Sequence, residues 1–491
     1  MEPRSSGLVV LVLVCPLAAA VLLQLFGRLD RRLCMPTALA ACLASLSLTG
    51  VLAGNVARGM PWVYHPGNWG GLGIELKMDL LALLFCLLIA GLASLVLVYS
   101  YRFIPHELAP RETSYYTVFL FLVSGLLGLS IAGDLLTFWI FMEVMALSAY
   151  VLIAIIDVPH AFESSLRYLF MGALSSLAIL LGVVLLYGAA GTLNMAGVLG
   201  VVRAGANGQA TLALALCSVG FCVKGAQVPV HFWLPGAHSA AVTPISAMHS
   251  GLVAKLGFYG FARFIFFVFG TTAAVGVLKM TSVLQWIGAL SILYGGIMAI
   301  LEDDLKLMLA YSTISHIGFM LLGISLLSPA GLTGALFHLL DDGLAKACLF
   351  LCAGIFIYRD GTRSIQQLKG IALRTPLTAA AFTLAAFSLV GIPPTSGFVA
   401  KWYLVLGTLQ ARRPFFAAVM IIGAMLAAVY AFRVVFYMFF APERSGALQM
   451  DDVPPAMLAP AAILGAGTWV LGIAAIWILP HIQRFVASLV S

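Results

Sequence analysis

The stretch Lys224-Gly-Ala-Gln-Val-Pro229-Val-His-Phe-Trp-Leu-Pro235 interrupts a long apolar run with one lysine and two prolines. Proline removes a backbone donor and its ring clashes with the preceding turn, so a helix does not continue through it. A second break, Gly391-Ile-Pro-Pro-Thr-Ser-Gly-Phe398, is followed by Lys401. Unwound backbone at membrane depth persists only inside protein or beside an aqueous cavity. Two such breaks, each beside a lysine, indicate a transport site built from repeats.

The composition around these breaks is that of a membrane protein. Of 491 residues, 62% are hydrophobic and 9% are charged, whereas soluble domains average about 45–50% and 25%. The mean hydropathy of +1.07 covers the whole length and leaves no room for a large soluble nucleotide-binding or Fe–S domain. The eight cysteines have no CxxC spacing and are interpreted as small core residues. The sequence therefore predicts no soluble enzyme, no redox centre, no cofactor and no metal.

Apolar runs of membrane-spanning length recur along the chain. About 20 apolar residues cross a bilayer as a helix, and breaking the sequence at charge, Pro and Gly clusters predicts fourteen spans. They are 8–27, 33–54, 79–100, 114–132, 135–156, 162–187, 209–227, 241–268, 282–300, 305–327, 331–358, 375–410 (interrupted), 415–440 and 457–479. Segment 60–78, with its aromatic residues, glycines and alternating apolar residues, predicts a short hairpin at the membrane surface.

The positions of the two breaks divide the chain into four parts. Spans four to eight and nine to thirteen each contain one interruption, in the fourth span of the five. The sequence thus predicts an all-α polytopic membrane protein with two inverted five-helix repeats, each with one broken helix. The parts are an N-terminal three-helix segment with the hairpin (1–113), a first repeat (114–268), a second repeat (282–440) and a C-terminal helix (441–491).

The basic residues fall mostly in the predicted loops, singly or in small groups. The net charge of +7 therefore indicates loop charges of a membrane protein, and no nucleic-acid partner is expected. Loops after odd-numbered spans, to which Lys306 is assigned, hold more Lys and Arg than the N-terminus and the loops after even-numbered spans, to which Arg263 is assigned. The positive-inside rule then predicts that both termini face outward.

Five charged residues lie inside apolar runs: Glu143, Lys224, Lys255, Lys346 and Lys401. An ionisable group at the bilayer centre costs about 2.5–3.5 kcal/mol on insertion scales, so a chain that holds five must gain from them. A lysine removed from water binds its proton less tightly and can exchange it, as can histidine. The pattern predicts a proton relay. Two alternatives are that a lysine snorkels to the interface and that a buried pair only fixes helix packing.

Three histidines near the first break, His231, His238 and His249, are candidate metal ligands by residue type alone. Their spacings of seven and eleven residues fit no known ligand motif. Histidines that face water or are hydrogen-bonded are the favoured interpretation, and no metal site is predicted.

Several long motifs in order resemble one family. The run from Pro229 to Lys255 resembles the signature of the antiporter-like subunits shared by respiratory complex I, Mrp-type cation/proton antiporters and energy-converting membrane-bound hydrogenases. The stretches Asp304 to His316, Lys346-Ala-Cys-Leu-Phe-Leu and Gly391 to Lys401 fit the same family, and the resemblance covers about residues 75–440.

The resemblance assigns roles to single positions in this chain. It implies a fifth-helix glutamate paired with the lysine of a broken helix, a connecting lysine, a central histidine, an eleventh-helix lysine and a terminal proton-exchanging residue. In this order they are Glu143, Lys224, Lys255, His316, Lys346 and Lys401.

Two positions depart from the family pattern. Many complex I members have a histidine four residues before the eleventh-helix lysine, where this chain has Asp342, preceded by Asp341. Asp342 and Lys346 lie one helical turn apart and are expected to pair. His338, one turn earlier, is expected to replace the missing histidine in the relay. Several relatives have glutamate at the position of Lys401.

The predicted function is translocation of protons, with sodium left open as a second ion, by one subunit of a multisubunit membrane complex. The resemblance implies further antiporter-like subunits as partners and a location in the cytoplasmic membrane of a bacterium or archaeon. The driving force is either redox chemistry in partner subunits or an ion gradient. Two alternatives remain open: a structural subunit that transmits conformational change without moving ions, and a transporter that acts alone.

Overall fold

The computed structural model describes residues 4–27, 30–69, 72–205, 208–271, 280–441 and 453–490. Most of these residues are helical, and eleven helical segments are long and apolar enough to cross a membrane by length and composition. One of them, Thr243–Phe269, includes short 3-10 and π-helical turns. The expected class, an all-α polytopic membrane protein, is confirmed. The number of fourteen membrane crossings stays a prediction.

The helices are numbered in chain order. The first ten are α1 (Leu8–Phe26), α2 (Cys34–Val56), α3 (Leu80–Leu108), α4 (Glu112–Ile131), α5 (Leu135–Ala154), α6 (Pro159–Ala190), α7 (Met195–Ala204), α8 (Gly208–Lys224), α9 (Trp233–Ala240) and α10 (Thr243–Gly251). The others are α11 (Leu256–Phe264), α12 (Met280–Leu301), α13 (Leu305–Ser325), α14 (Pro329–Asp360), α15 (Ile371–Arg374), α16 (Pro376–Val390), α17 (Ser396–Gln410), α18 (Pro414–Phe439) and α19 (Pro455–Val490).

A small sheet and four tighter or wider helical turns complete the described elements. The strands are β1 (Arg4–Ser5), β2 (Trp62–Trp69) and β3 (Leu72–Met78). Strand β2 pairs with β1 in parallel and with β3 antiparallel, with a bulge after Tyr64, so the predicted hairpin is confirmed. The turns are the 3-10 helices Arg31–Leu33, Val253–Lys255 and Ile365–Leu368 and the π-helix Ile265–Phe269.

Every predicted span coincides with a helix or with two half-helices. The two predicted breaks are present, between α8 and α9 and between α16 and α17. The span expected at 241–268 is not continuous, because a 3-10 turn at Val253–Lys255 separates α10 from α11. Several helices are also longer than expected: α3 ends at Leu108 and α19 at Val490. Their ends carry polar residues that a hydropathy rule excludes but that helices tolerate outside the hydrocarbon core.

The chain forms two units. The first comprises Met1–Leu97, Leu108–Gly225 and Leu256–Val283, and the second comprises Val98–Glu107, Ala226–Lys255 and Leu284–Ser491. In the first unit α6 packs against α5 and α8, and α4 packs against α1 and α5. In the second unit α14 packs against α10, α13, α16, α17 and α19 and is buried over most of its length.

Matching features recur at a constant offset of 170 residues. Asp134 caps α5 and bridges to Asn194, while Asp304 caps α13 and bridges to Ser364. Helices α6 and α14 are both 32 residues long and both end at a glycine with positive φ. This common spacing supports the predicted duplication of one structural unit.

All eight cysteines are free thiols, and all but Cys15 are buried. Their interpretation as small core residues is confirmed.

Candidate functional site

In the first unit, the break after α8 brings Lys224 opposite Glu143. Lys224 is the last residue of α8 and Glu143 lies in the middle of α5, with Nζ and Oε1 3.9 Å apart. The lysine side chain is buried, whereas 26% of the glutamate side chain is exposed. The last turn of a helix leaves carbonyl groups without partners, which favours a cation there. The predicted pairing of the two residues is confirmed by this geometry.

Glycines allow the chain to pack tightly around this lysine. A Cβ on Gly257 would lie 2.4 Å from the backbone of Gly225 and 2.6 Å from the carbonyl oxygen of Phe221. Only a glycine permits α11 to approach the end of α8 this closely. The position of Lys224 is therefore fixed by backbone contact as well as by charge.

In the second unit, the middle of α14 carries one histidine, two aspartates and one lysine that are fully buried: His338, Asp341, Asp342 and Lys346. Together with Lys255 and His316 from neighbouring elements, they form a set that we call the central cluster. No member has measurable exposure to solvent. Buried charges are tolerated when they are paired or hydrogen-bonded, so the contacts inside this cluster determine its state.

Asp342 is the centre of the cluster. One carboxylate oxygen lies 2.8 Å from Nζ of Lys255, and the other lies 3.3 Å from Nδ1 of His316. Lys255 also donates to the carbonyl of Ser250 at 2.5 Å. Asp342 is paired with Lys255, and the described residues contain no ion pair between Asp342 and Lys346, so the pairing that the one-turn spacing suggested was wrong.

The ammonium of Lys346 instead binds α13. It donates to the hydroxyl of Ser312 and lies 3.5 Å from the carbonyl oxygen of Leu309. The side chains of Asp342 and Lys346 leave α14 one turn apart, but they point to different neighbouring elements. Their direction explains why they do not pair. Lys346 thus extends the cluster along α13.

His338 is adjacent to His316, as expected for the replacement of the missing histidine. Nδ1 of His316 and Nε2 of His338 are 3.1 Å apart, and the two rings stack with centroids 5.2 Å apart. Nε2 of His316 also lies 3.2 Å from the hydroxyl of Tyr430. No sequence pattern pointed to Tyr430, because a tyrosine in an apolar helix resembles any core aromatic residue.

Lys401 lies at the second break. Its ammonium donates to the carbonyls of Leu389 and Val390, at 2.5 and 3.1 Å, and lies over the ring of Phe319. These carbonyls end the half-helix α16, so the break itself supplies the acceptors for a cation.

Two further basic residues that charge counting assigned to loops are buried. Lys306 donates to the carbonyl of Ala241 at 2.6 Å, and Arg263 forms two hydrogen bonds to Asp79, at 2.5 and 2.9 Å. Both side chains are almost fully inaccessible to solvent. The loop assignment of both was wrong because each lies near a helix end, where hydropathy does not separate buried from exposed. Lys306 was assigned to one side of the membrane and Arg263 to the other. Removing both from the loop counts therefore leaves the difference in basic residues between the two sides unchanged.

The three histidines near the first break are all buried. The ring of His238 stacks on Phe350 with centroids 5.2 Å apart, and it meets the ring of His249 edge-on. None of the three lies at the surface of the chain, and neither ring nitrogen of His238 has a hydrogen-bond partner among the described residues, so His238 fits neither expected role. His316, His338 and Asp342 do offer three ligand atoms within 4.8 Å of one another. The ammonium of Lys255 on the same carboxylate opposes a metal ion there.

The fold and these contacts define a class: a polytopic membrane protein with interrupted helices and buried, mutually contacting lysine, histidine and carboxylate groups. The chain belongs to the family described as NADH:quinone oxidoreductase/Mrp antiporter, transmembrane, which matches residues 132–427. The resemblance inferred from the sequence is confirmed.

Individual relatives extend over almost the whole chain. One subunit of the NADH-quinone oxidoreductase of Desulforudis audaxviator is 37% identical, covering 96% of each chain. One subunit of the Na(+)/H(+) antiporter of Bacillus subtilis is 29% identical, covering 99% of this chain and 98% of that one. A chain of the Mrp complex from Dietzia sp. superposes with a TM-score of 0.89 at 28% identity, covering 99% and 97%. The chain is thus a multi-pass, antiporter-like membrane protein, and such relatives are subunits of multisubunit complexes.

Proposed function

We propose that this chain translocates protons across the cytoplasmic membrane of a bacterium or archaeon, as one subunit of a multisubunit complex. The observation that carries the proposal is the series Lys255, Asp342, His316 and His338, in which successive polar atoms are 2.8, 3.3 and 3.1 Å apart. Each member can bind and release a proton, and each contact is short enough for transfer. Lysines and imidazoles bind protons rather than sodium ions, so the proton is the proposed ion.

The Glu143–Lys224 pair is proposed to control loading. When the carboxylate is close, it stabilises the ammonium form of Lys224. When the two separate, the buried ammonium loses this stabilisation and releases its proton. The separation of 3.9 Å is longer than a direct hydrogen bond, so small movements of α5 or α8 change the interaction strongly. Lys401, at the second break, is proposed as the residue that exchanges protons at the end of the path.

The exposure of Glu143 supports a protein partner beside α5. Ile140 and Leu147, one turn to either side of it, are 44% and 57% exposed. A carboxylate on such an apolar face is costly in contact with lipid. We propose that another membrane subunit of the complex, of the same antiporter-like kind, covers this face.

The first prediction tests translocation at the pair. Lys224→Ala in the intact complex is expected to reduce proton transport by roughly 10²-fold, because it removes one proton-binding group of the path. The measurement is the pH change in vesicles that contain the assembled complex, with the amount of each subunit measured in the same preparation. Lys369→Ala, at an exposed lysine, is the matched control and is expected to transport normally.

The same experiment separates the alternatives. Transport that persists in assembled Lys224→Ala and Glu143→Ala complexes would show that the buried charges serve structure or conformational coupling only. Transport by the purified chain alone in liposomes would instead support a transporter that needs no partners.

A further inference from the structure

Asp341, the residue beside the centre of the cluster, makes contacts that lie outside the predicted relay. Its carboxylate is fully buried. Oδ1 accepts hydrogen bonds from the hydroxyls of Ser388 at 2.5 Å and Ser396 at 2.6 Å. Ser388 is in the last turn of α16 and Ser396 is the first residue of α17. Asp341 therefore connects α14 to both sides of the second break.

The other carboxylate oxygen faces a histidine. Oδ2 of Asp341 lies 3.7 Å from Nδ1 of His338, and among the described residues neither atom has a hydrogen-bond partner. The second ring nitrogen of His338 is the one that contacts His316. An imidazole can accept a proton at one nitrogen and release one from the other. His338 is thus oriented to pass protons from His316 to Asp341.

Lys401 binds at the same break as Asp341. Its ammonium binds the carbonyl of Leu389, the residue after Ser388, and it interacts electrostatically with Asp341. A Cβ on Gly397 would lie 1.8 Å from the carbonyl oxygen of Ser388 and 3.0 Å from Oδ2 of Asp341. Glycine at this position allows the carboxylate and the ends of both half-helices to meet. The N-terminus of α17 also favours a negative charge there.

We propose that Asp341 carries protons between His338 and Lys401. This inference rests on the proposed function. A doubly protonated His338 transfers its Nδ1 proton to Oδ2 of Asp341, which leaves a neutral imidazole and a neutral carboxylic acid. The acid then gives its proton to the neutral amine of Lys401 across the break beside Ser388 and Ser396. This step restores the carboxylate of Asp341 and forms the ammonium of Lys401. The negative charge of Asp341 is then compensated by the positive charge of Lys401.

The competing explanation is that Asp341 only anchors the break by accepting two serine hydrogen bonds. Asparagine distinguishes the two, because its side-chain oxygen also accepts from both hydroxyls but its amide does not carry a proton. Glutamate retains the proton-carrying group with one more methylene.

The second prediction uses these variants in the intact complex. Asp341→Asn is expected to assemble and to lose roughly 10²-fold in proton transport, while Asp341→Glu keeps transport within about tenfold of the unmodified complex, since only the geometry of the general acid–base group changes. Infrared difference spectra across a pH step are expected to contain a protonated-carboxyl band that disappears in Asp341→Asn and shifts in Asp341→Glu. Asp360→Asn, at a carboxylate paired with Arg374, is the control that transports normally.

Each outcome decides the proposal. If Asp341→Asn transports normally while Lys224→Ala does not, Asp341 is an anchor and proton translocation by the chain still stands. If both variants transport normally, the proposed function fails as well. If Asp341→Asn does not assemble, the infrared band of Asp341→Glu decides: an unshifted band shows that Asp341 takes up no proton and overturns the proposal.

Discussion

At the scale of the residue, the two adjacent aspartates of α14 contact different partners. Asp342 is shared between Lys255 and His316, whereas Asp341 is shared between two serines and His338. The two aspartates are neighbours in the sequence, but each binds a different set of residues. Asp342 holds charge at the centre of the cluster and Asp341 lies at the break.

The third prediction separates the structural contribution of Asp342 from its functional one. Asp342→Leu leaves the ammonium of Lys255 buried without its carboxylate, and breaking a buried pair in this way costs about 3–5 kcal/mol. We expect poor assembly and a lower melting temperature of the solubilised complex. The double variant Lys255→Met with Asp342→Leu removes both charges and is expected to recover stability but not proton transport. Recovery of transport as well would show that the pair is not part of the path.

At the scale of the element, the functional residues lie where helices are interrupted. Lys224 ends α8, Lys401 follows the break between α16 and α17, and Lys255 lies in the 3-10 turn between α10 and α11. Interrupted helices expose backbone carbonyls that bind ammonium groups, as Ser250 and Leu389 do here. Short 3-10 segments inside helices often mark hinges. The interruptions thus place ammonium groups against backbone carbonyls, at turns of a kind that often marks hinges.

The fourth prediction concerns the packing that holds the first interruption. Gly257→Ala places a methyl group 2.4 Å from the backbone of Gly225, and overpacking of this kind typically costs about 1–3 kcal/mol. We expect a lower melting temperature and reduced transport, because α8 must move and Lys224 moves with it. Gly188→Ala, at a helical glycine with open space around it, is expected to leave both unchanged. Equal effects of the two substitutions would show that the close approach is unimportant.

At the scale of the whole molecule, the chain combines two units with matching local features 170 residues apart. In each unit an aspartate caps the start of a helix, Asp134 in α5 and Asp304 in α13, and forms a bridge to the segment after the following helix. The described residues also include the two broken helices, α8–α9 and α16–α17. The Glu143–Lys224 pair belongs to the first unit and the central cluster to the second. The common offset supports the predicted duplication of one unit, and a lysine lies at each of the two breaks.

The fifth prediction tests the orientation of the chain in the membrane. The bias of basic loop residues predicts that both termini face outward. A cysteine at Arg412, in the loop between α17 and α18, is then expected to react with a membrane-impermeant maleimide added to intact cells. A cysteine at Lys369, in the loop before α15, reacts only after the cells are opened. The unmodified chain, whose cysteines are mostly buried, provides the background, and the reverse labelling pattern would invert the predicted topology.

The class of protein, the helices, both breaks, the hairpin and the family could be predicted from the sequence, because apolar runs, prolines and motif order are local properties. The family resemblance also predicted the Glu143–Lys224 pair. The partners of Lys255, Asp342 and Lys346 could not be predicted, because they depend on contacts between helices far apart in the chain. Lys255 and Asp342 meet only in the folded unit, where Lys346 binds Ser312 and does not form the Asp342–Lys346 pair that spacing alone favours. Burial of Lys306 and Arg263 and the position of Asp341 between His338 and the second break were likewise decided by tertiary packing, since desolvation leaves no mark on the sequence near a helix end.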